Sequence, residues 1–420
     1  MKVLVVGGGG REHTLVWKLA LSPKVDKVYA APGNAGTAQV AENVDIKPDD
    51  FDAIARFAKD KGVDLVMVGP EAPLAAGIVD YLHSEGITAF GPTKEATLIE
   101  SSKAFAKELM FKYGIPCARS ETFTSLQEAQ RYVKSQPCPI VIKADGLAAG
   151  KGVIIAATEQ EALAALDDMM TGHVFGDAGS KVLIEECMTG REVSLLVFTD
   201  GATVVPMVPA CDYKRIGDND EGLNTGGMGS YSPPGFFDDN VKQDVVDRIA
   251  KPVIDAMNKE GRPYRGVLYV GLMMTPDGPK VLEFNARFGD PETQVILPRL
   301  KTDLIEIMQA VIDGRLDEID IEWSSDPCVG VVMASGGYPG KYRTGYEITG
   351  LDRLDSGVIV FHAGTKPDNG KVLTSGGRVL AVVAIGSSIA EARDKVYHNI
   401  GRVSFDGAVY RNDIAMREVT

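Results

Sequence analysis

The first thirty residues constrain the fold most. Val3–Val6 is a short apolar run, Gly7–Gly10 are four consecutive glycines, Thr14–Leu21 carries apolar residues at helical spacing, and Lys27–Ala30 is mostly apolar again. A buried-strand run, a tight turn, a helix and a second such run make a βαβ unit, which closes as a parallel sheet with a helix packed on it. The alternation continues through an amphipathic stretch Asp49–Lys59, a strand Asp64–Val68, a loop Gly69–Pro73, a helix to Ser84, and Thr88–Phe90 before Gly91 and Pro92. The region is therefore predicted to be doubly wound α/β, an architecture that binds ligands beyond its strand C-termini, where Glu71 and Gly91 fall. Gly7 and Gly9 begin the pattern G-x-G-x-x-G, but Glu12 stands in place of the third glycine. The second strand runs into Ala-Ala-Pro-Gly where an acid would meet a ribose, so a dinucleotide is disfavoured. What remains is a glycine turn at a helix N-terminus beside Arg11 and His13. It suits a phosphate monoester, or simple strand-to-helix packing.

A chain of 420 residues with 45% hydrophobic content has room for two to four domains with real cores. The formal net charge of −14 argues against a general nucleic-acid or anionic-membrane surface, so an anionic ligand needs a local basic pocket. Five widely spaced cysteines without C-x-x-C argue against both a disulfide framework and zinc, and for a reducing compartment. The early apolar run is too short for a signal core, and no later run approaches the ~20 residues of a membrane span. These features place the chain in the cytoplasm, with no nucleic acid and no membrane as partners.

The middle of the chain reads as a small α+β unit: strand Arg119–Phe123, helix Leu126–Val133, strand Ile140–Lys143, a glycine loop, strand Val153–Ala156, helix Glu159–Met169 and strand Lys181–Glu185. The loop Ala144–Gly152 is not a P-loop, because its glycine spacing is short and Gly152 stands where Ser or Thr would hold Mg²⁺. Its N–H groups can still fold over a polyphosphate, and Lys143 brings a cation to the same place. A glycine-rich turn without a ligand is the plain alternative. Glu185–Met188, followed by a strand Glu192–Phe198, forms an acidic and partly apolar connector. It can hold adenine through its backbone and ribose through Glu192, or be exposed acids at a strand end. Cys211–Pro234 shows no hydrophobic period and is predicted to be a long loop. Loops beyond about a dozen residues are usually functional or disordered, and Asp212, Lys214, Arg215 and the glycine-rich Asn224–Gly229 favour function.

A helix Val241–Lys259 leads to a hairpin, Gly266–Met274 and Lys280–Asn285, turning at Thr275–Gly278. If Val281–Arg287 is extended, Glu283, Asn285 and Arg287 project to one side. Carboxylate and amide oxygens suit Mg²⁺, which takes few protein ligands beside waters and phosphates, and the guanidinium matches the paired oxygens of a carboxylate or phosphate. A bare E-x-N-x-R is also compatible with a polar face at a sheet edge. Asp290-Pro291 reads as a helix N-cap with proline at the first helical position, and Asp303–Asp313 as a further helix. Beyond Trp323–Pro327, strands Val329–Ala334, Val358–Phe361 and Arg378–Ile385 with a helix Ala390–Ile400 predict an α+β cap, in which His362 and Arg378 are outlying site candidates. No H-E-x-x-H or G-x-S-x-G is present, so zinc and serine hydrolase chemistry have no support.

Taken together, the parallel N-terminal unit, the small unit with Val141-Ile-Lys-Ala-Asp-Gly-Leu-Ala-Ala-Gly-Lys-Gly152, the connector Glu185–Glu192 and Glu283-Phe-Asn285 resemble the ATP-grasp superfamily. Within it, Gly9–His13, Gly69–Pro73, Asn224–Gly229, Arg287-Phe-Gly-Asp-Pro-Glu-Thr-Gln294 and Phe361–Thr365 resemble the phosphoribosylamine–glycine ligase family across essentially the whole chain. The resemblance implies a multidomain α/β and α+β protein: a Rossmann-like domain at 1–102, an ATP-grasp domain at 103–326 with a lid at about 119–188, and an α+β domain at 327–420. It implies that ATP phosphorylates the carboxylate of glycine and that the amine of 5-phosphoribosylamine attacks the acyl phosphate, a step of purine synthesis in which no nucleophilic side chain is needed. By the same resemblance Glu283 and Asn285 hold Mg²⁺, or Mn²⁺ in its place. Lys143, Gly146, Gly150, Lys151 and Gly152 meet the ATP phosphates with help from Lys103. Glu185, Glu186 and Met188 hold adenine, and Glu192 the ribose. Arg287 orients the glycine carboxylate or acyl phosphate, Asp212 and Lys214 contact substrate, and Gly9–His13 with Glu71 face phosphoribosylamine. The chain departs from many superfamily members in lacking a carboxylate on Gly266–Met274, which leaves phosphates to supply most oxygens of any second metal. The nearest rival is another ATP-grasp ligase or carboxylase of purine or biotin metabolism, and the expected assembly is a monomer or small homo-oligomer.

Overall fold

The structure is a computed structural model that describes residues 1–147, 152–172 and 179–419. Gly150 and Lys151, assigned above to the phosphates, lie outside the described residues. The N-terminal sheet is parallel throughout, in the order Glu42–Asn43, Lys27–Pro32, Lys2–Gly7, Leu65–Val68, Ala89–Phe90, so the doubly wound expectation is met. Val3–Val6 is apolar without alternation because both faces of its strand are covered. Leu4 and Val6 close a local core with Ile54, Val66 and Ile78, whereas Val3 and Val5 join Leu15, Leu19, Phe288 and Leu304 in a core shared with the middle of the chain.

The departure from the dinucleotide fingerprint has a physical cause. The Glu12 carboxylate turns back on its own helix start, accepting the Gly9 N–H at 2.7 Å and the Arg11 Nε–H at 2.6 Å. It occupies the anion position that a dinucleotide phosphate would take. A Cβ at Gly69 would lie 2.3 Å from Glu12 Oε1, so glycine there makes room for the acid.

The small unit forms an antiparallel sheet, ordered Ser120–Phe123, Val182–Glu186, Ile140–Ala144, Val153–Ala156. Helices Leu126–Val133 and Glu159–Met170 cover one face through Ala129, Val133, Ala162 and Leu166. The hairpin Gly266–Thr275 and Gly278–Asn285 forms one side of a second antiparallel sheet completed by Arg191–Thr199 and Val204–Pro206. Its register slips between Gly271 and Leu272, so that Glu283 pairs with Gly271 and Val281 with Leu272. The bulge separates two residues that regular alternation would keep on one face. Val281 enters the core, and Glu283 turns outward together with Leu282.

Two local expectations are corrected. Cys211–Pro234 is not an irregular loop; it contains strands Cys211–Asp212, Arg215–Gly217, Glu221–Asn224 and Gly229–Ser232. The first and last extend the sheet formed by Cys328–Ala334, Arg378–Ile385 and Val358–His362, and the middle two form a separate hairpin. No apolar period marks Gly229–Ser232 because its buried positions include serines held by hydrogen bonds, Ser230 Oγ to the Cys211 carbonyl at 2.8 Å and Ser232 Oγ to the Pro209 carbonyl at 2.6 Å. Asp290 is likewise no helix cap. The helix spans Thr293–Ile296 after Glu292, and the Asp290 carboxylate instead accepts from Gln294 Nε2 at 2.8 Å and lies 3.1 Å from Arg378 Nη1. A guanidinium and an amide take the lone pairs that a backbone N–H would have used. Asp303 does cap Leu304–Asp313, accepting the Ile305 N–H at 3.1 Å. Among the described residues no helix is long and apolar enough to cross a membrane.

Candidate active site

A cavity of about 900 Å³ opens between the small sheet, the hairpin and the N-terminal unit. Lys103, Lys143, Gly146, Gly152, Glu185, Glu186, Met188, Glu192, Asp212, Lys214, Glu283, Asn285 and Arg287 all border it, so the described residues expected to meet ATP, the metal and glycine converge here.

One end is built on lysines. Ser102 caps the helix Lys103–Tyr113, its hydroxyl accepting the Phe105 N–H at 3.1 Å, while Asp145 accepts the Ala104 N–H at 3.1 Å and so fastens the glycine loop to the helix start. Lys103 Nζ then donates to the Gly146 and Ala144 carbonyls at 2.8 and 3.1 Å. Lys143, at the end of its strand, donates to the Leu282 carbonyl at 3.1 Å and pairs with Glu185 Oε2 at 2.9 Å. Lys107 reaches the other Glu185 oxygen at 3.4 Å, so this almost fully buried carboxylate sits between two ammonium groups. Arg119 holds Glu186 at 3.0 Å. Val141, Val153, Ile155, Met188, Met273 and Leu282 line an apolar slot alongside. Such a slot beside cations fits a flat base carrying phosphates.

Glu283 has no hydrogen bond or ion pair among the described residues. Burial would push its carboxyl up, but Lys214, Lys143, Lys103 and Arg287 outweigh burial and hold it below the usual carboxylate range. A charged oxygen donor thus faces the cavity beside the Asn285 amide. That donor set fits Mg²⁺, and with so few protein oxygens the remaining ligands must come from phosphate and water. No cluster of three His, Cys, Asp or Glu suited to a metal occurs among the described residues. On the neighbouring wall Lys214 pairs with Glu192 at 2.9 Å. Burial lifts the Asp212 carboxyl to about 7 against the pull of Lys214, with Glu292, Glu192 and Glu283 adding to the rise.

The other end is built on arginines. Arg287 Nε donates to Glu71 at 3.3 Å, its Nη1 to the Phe288 carbonyl at 3.3 Å and its Nη2 to Asn285 Oδ1 at 3.2 Å; Glu100 lies 3.3 Å from Nη2. Arg11 adds a contact to Glu71 at 3.8 Å. Arg378 comes from the C-terminal sheet and donates to the Gly226 and Asp290 carbonyls at 2.6 and 3.0 Å.

Profiles of the phosphoribosylglycinamide synthetase N domain, ATP-grasp (A) domain and C domain match residues 1–100, 101–293 and 328–417. A phosphoribosylamine–glycine ligase of Halalkalibacterium halodurans is 52% identical, over 100% of this chain and 97% of that protein. The chain belongs to the phosphoribosylglycinamide synthetase family. The crystal structure of phosphoribosylamine–glycine ligase from Thermotoga maritima matches the fold with a TM-score of 0.87 at 34% identity, over 99% of this chain and all of that one. The biotin carboxylase domain of Hydrogenobacter thermophilus 2-oxoglutarate carboxylase, crystallised with MgADP, ADP and bicarbonate, matches with a TM-score of 0.73 at 16% identity, over 97% and 91% of the two chains. The synthetase family therefore shares its ATP-grasp architecture with carboxylating enzymes.

Several residues of this synthetase-family site escaped sequence reasoning. Glu100 and Lys107 lie on helices whose sequence marks only their apolar faces. Glu292 lies inside the arginine-led signature and was within reach; it accepts hydrogen bonds from Tyr269 at 3.0 Å and Ser194 at 3.2 Å. His13, expected near a phosphate, does not border the cavity, and its Nδ1 accepts the His362 N–H at 2.8 Å in a buried junction with Phe361 and Trp17. His362 donates or accepts with Thr365 Oγ1 at 3.1 Å and does not border the cavity, whereas Arg378 does.

Proposed function

We propose that the chain is an ATP-dependent ligase that joins glycine to 5-phosphoribosylamine, giving glycinamide ribonucleotide, ADP and phosphate. The observation that carries this reading is the placement of Glu283 and Asn285 between a lysine end and an arginine end of one cavity. A carboxylate oxygen of glycine attacks the terminal phosphorus of ATP and ADP leaves. The amine of phosphoribosylamine then attacks the carbonyl carbon of the glycyl phosphate, phosphate departs, and the amine loses a proton. The first step brings anions together, so it demands cationic charge and alignment.

Lys103, Lys143 and the Gly146–Gly152 loop supply that charge to the phosphates, and Lys151 belongs to the same group. Glu185, Glu186 and Met188 frame adenine, and Glu192 the ribose. Glu283 and Asn285 would hold Mg²⁺, with Mn²⁺ as a substitute, and the ion when bound neutralises charge on the phosphate oxygens. Arg287 orients the glycine carboxylate and its acyl phosphate through a planar guanidinium. Asp212, titrating near neutrality, accepts the proton that the amine sheds, and Lys214 steadies the departing phosphate. Arg11 and Glu71 face the phosphoribosylamine end. A cytoplasmic site of action, a monomer or small homo-oligomer, and the divisions 1–102, 103–326 and 327–420 complete the reading.

The test is ADP release with ATP, Mg²⁺, glycine and freshly generated phosphoribosylamine, each omitted in turn. Release should require all four. ADP release without glycine, or with bicarbonate replacing it, would sink the assignment.

A further inference from the structure

Arg287 is held by Glu100, an acid that lines the same cavity and has no part in the chemistry proposed above. We infer that Glu100 is a positioning residue, which fixes the Arg287 guanidinium for the carboxylate substrate from the last turn of the helix Lys94–Ser101. The inference rests on the reading of Arg287 given above.

The Glu100 side chain is 5% exposed, and its two oxygens have separate tasks. One accepts the Ala286 N–H at 2.6 Å, and the other lies 3.3 Å from Arg287 Nη2. The carboxylate therefore grips both the backbone just before Arg287 and the end of its side chain. Burying a carboxylate is costly unless a charge and a hydrogen bond compensate it, and Glu100 has one of each at this residue pair. Glu71 also meets Arg287, but it is 30% exposed at the cavity wall, where a substrate can take its place. Glu100 has no oxygen left over. Hydrogen bonds to Glu71, Phe288 and Asn285 use three of the five guanidinium N–H bonds, and Glu100 faces Nη2 as an ion-pair partner, so an N–H on Nη1 stays available to a ligand among the described residues. An arginine held this firmly presents a preset direction to a carboxylate, and little is lost in ordering it on binding. The acid that sets the direction belongs to the N-terminal unit, whereas Arg287 follows the Glu283–Asn285 strand. The junction between the two units thus defines the acceptor geometry.

Glu100→Gln keeps the volume but has a single acceptor oxygen. If that oxygen serves Ala286, an NH₂ group faces the guanidinium and Arg287 loses its restraint. The variant should raise KM for glycine about tenfold, leave KM for ATP within about twofold, and leave the unfolding midpoint nearly unchanged. In an Arg287→Ala background, Glu100→Gln should add nothing to the glycine KM, because the two act as one unit. Equal effects of Glu100→Gln in both backgrounds, or equal losses for glycine and ATP, would overturn the inference while leaving Arg287 as a substrate contact. If Arg287→Ala itself leaves the glycine KM unchanged, the reading of Arg287 falls and the inference falls with it. Glu100→Asp, too short to span both partners, should resemble Glu100→Gln; wild-type glycine KM in the aspartate variant also counts against the inference.

Discussion

The two ends of the cavity handle charge in opposite ways. At the lysine end, Lys103 gives its hydrogen bonds to carbonyl oxygens, and Lys143 and Lys107 share the single carboxylate Glu185. Positive charge is left over and can be spent on phosphates. At the arginine end, Arg287 meets Glu71 and Glu100, Arg11 meets Glu12, and Arg378 meets Asp290. There charge is nearly balanced, and what remains is direction. Burial would lower the affinity of Arg287 for its proton, but Glu100, Glu71, Glu292 and Tyr269 raise it. On the proposed reading the contrast matches what each partner needs: a polyphosphate wants compensating charge, whereas small substrates with charges of both signs want alignment.

The strongest way to break this comparison is at the carboxylate between the ends. Glu283→Ala should lower turnover by about 10²-fold or more, as removal of an electrostatic contact at reacting charge typically does. Near-normal turnover at saturating Mg²⁺ would remove Glu283 from the metal site. Next comes the lysine end itself. Lys143→Met should weaken ATP about tenfold, and it should also destabilise the fold by about 3–5 kcal/mol, because Glu185 loses its nearer partner in a buried place. Adding Glu185→Gln should restore stability without restoring ATP affinity. If ATP binding returns as well, the lysine end works by packing and not by charge.

The smallest effect concerns pH at the junction behind the arginine end. Burial, with His362 alongside, pushes the His13 imidazole down to about 3, and burial pushes His362 to about 4. The folded state therefore refuses protons that the unfolded chain binds below about 6.5. Stability contributed by neutral imidazoles is complete above that value and declines as pH falls toward 4, by on the order of 1 kcal/mol per pH unit and histidine. The unfolding midpoint should drop between pH 7 and 5. His13→Asn, whose amide oxygen can still accept the His362 N–H, should flatten that slope; an unchanged slope would locate the acid sensitivity elsewhere.

Much of the fold was legible because its signals are local and periodic. Both faces of Val3–Val6 are buried, so the run is apolar throughout, and the turn at Thr275–Gly278 announces its hairpin. The site was legible where chemistry is concentrated in a few adjacent residues, as in Glu283, Asn285 and Arg287. Gly229–Ser232 was not, because hydrogen-bonded serines fill positions where a pattern search expects apolar groups. Glu100 was not, because nothing in a helix reveals which distant N–H its carboxylate will meet.

By itself the sequence determined the kinds of groups present: a parallel N-terminal unit, oxygen donors for a hard cation, lysines beside a glycine loop, and an arginine-led signature. Only the tertiary structure decided which charges cancel and which stay available. It set Glu185 between two lysines, closed Glu12 over its own helix, moved His13 from a supposed phosphate site to a buried junction, and used a one-residue bulge to turn Glu283 toward the cavity while Val281 entered the core. Side-chain chemistry is written residue by residue, but the field a side chain feels is set by neighbours that are often a hundred or more positions away.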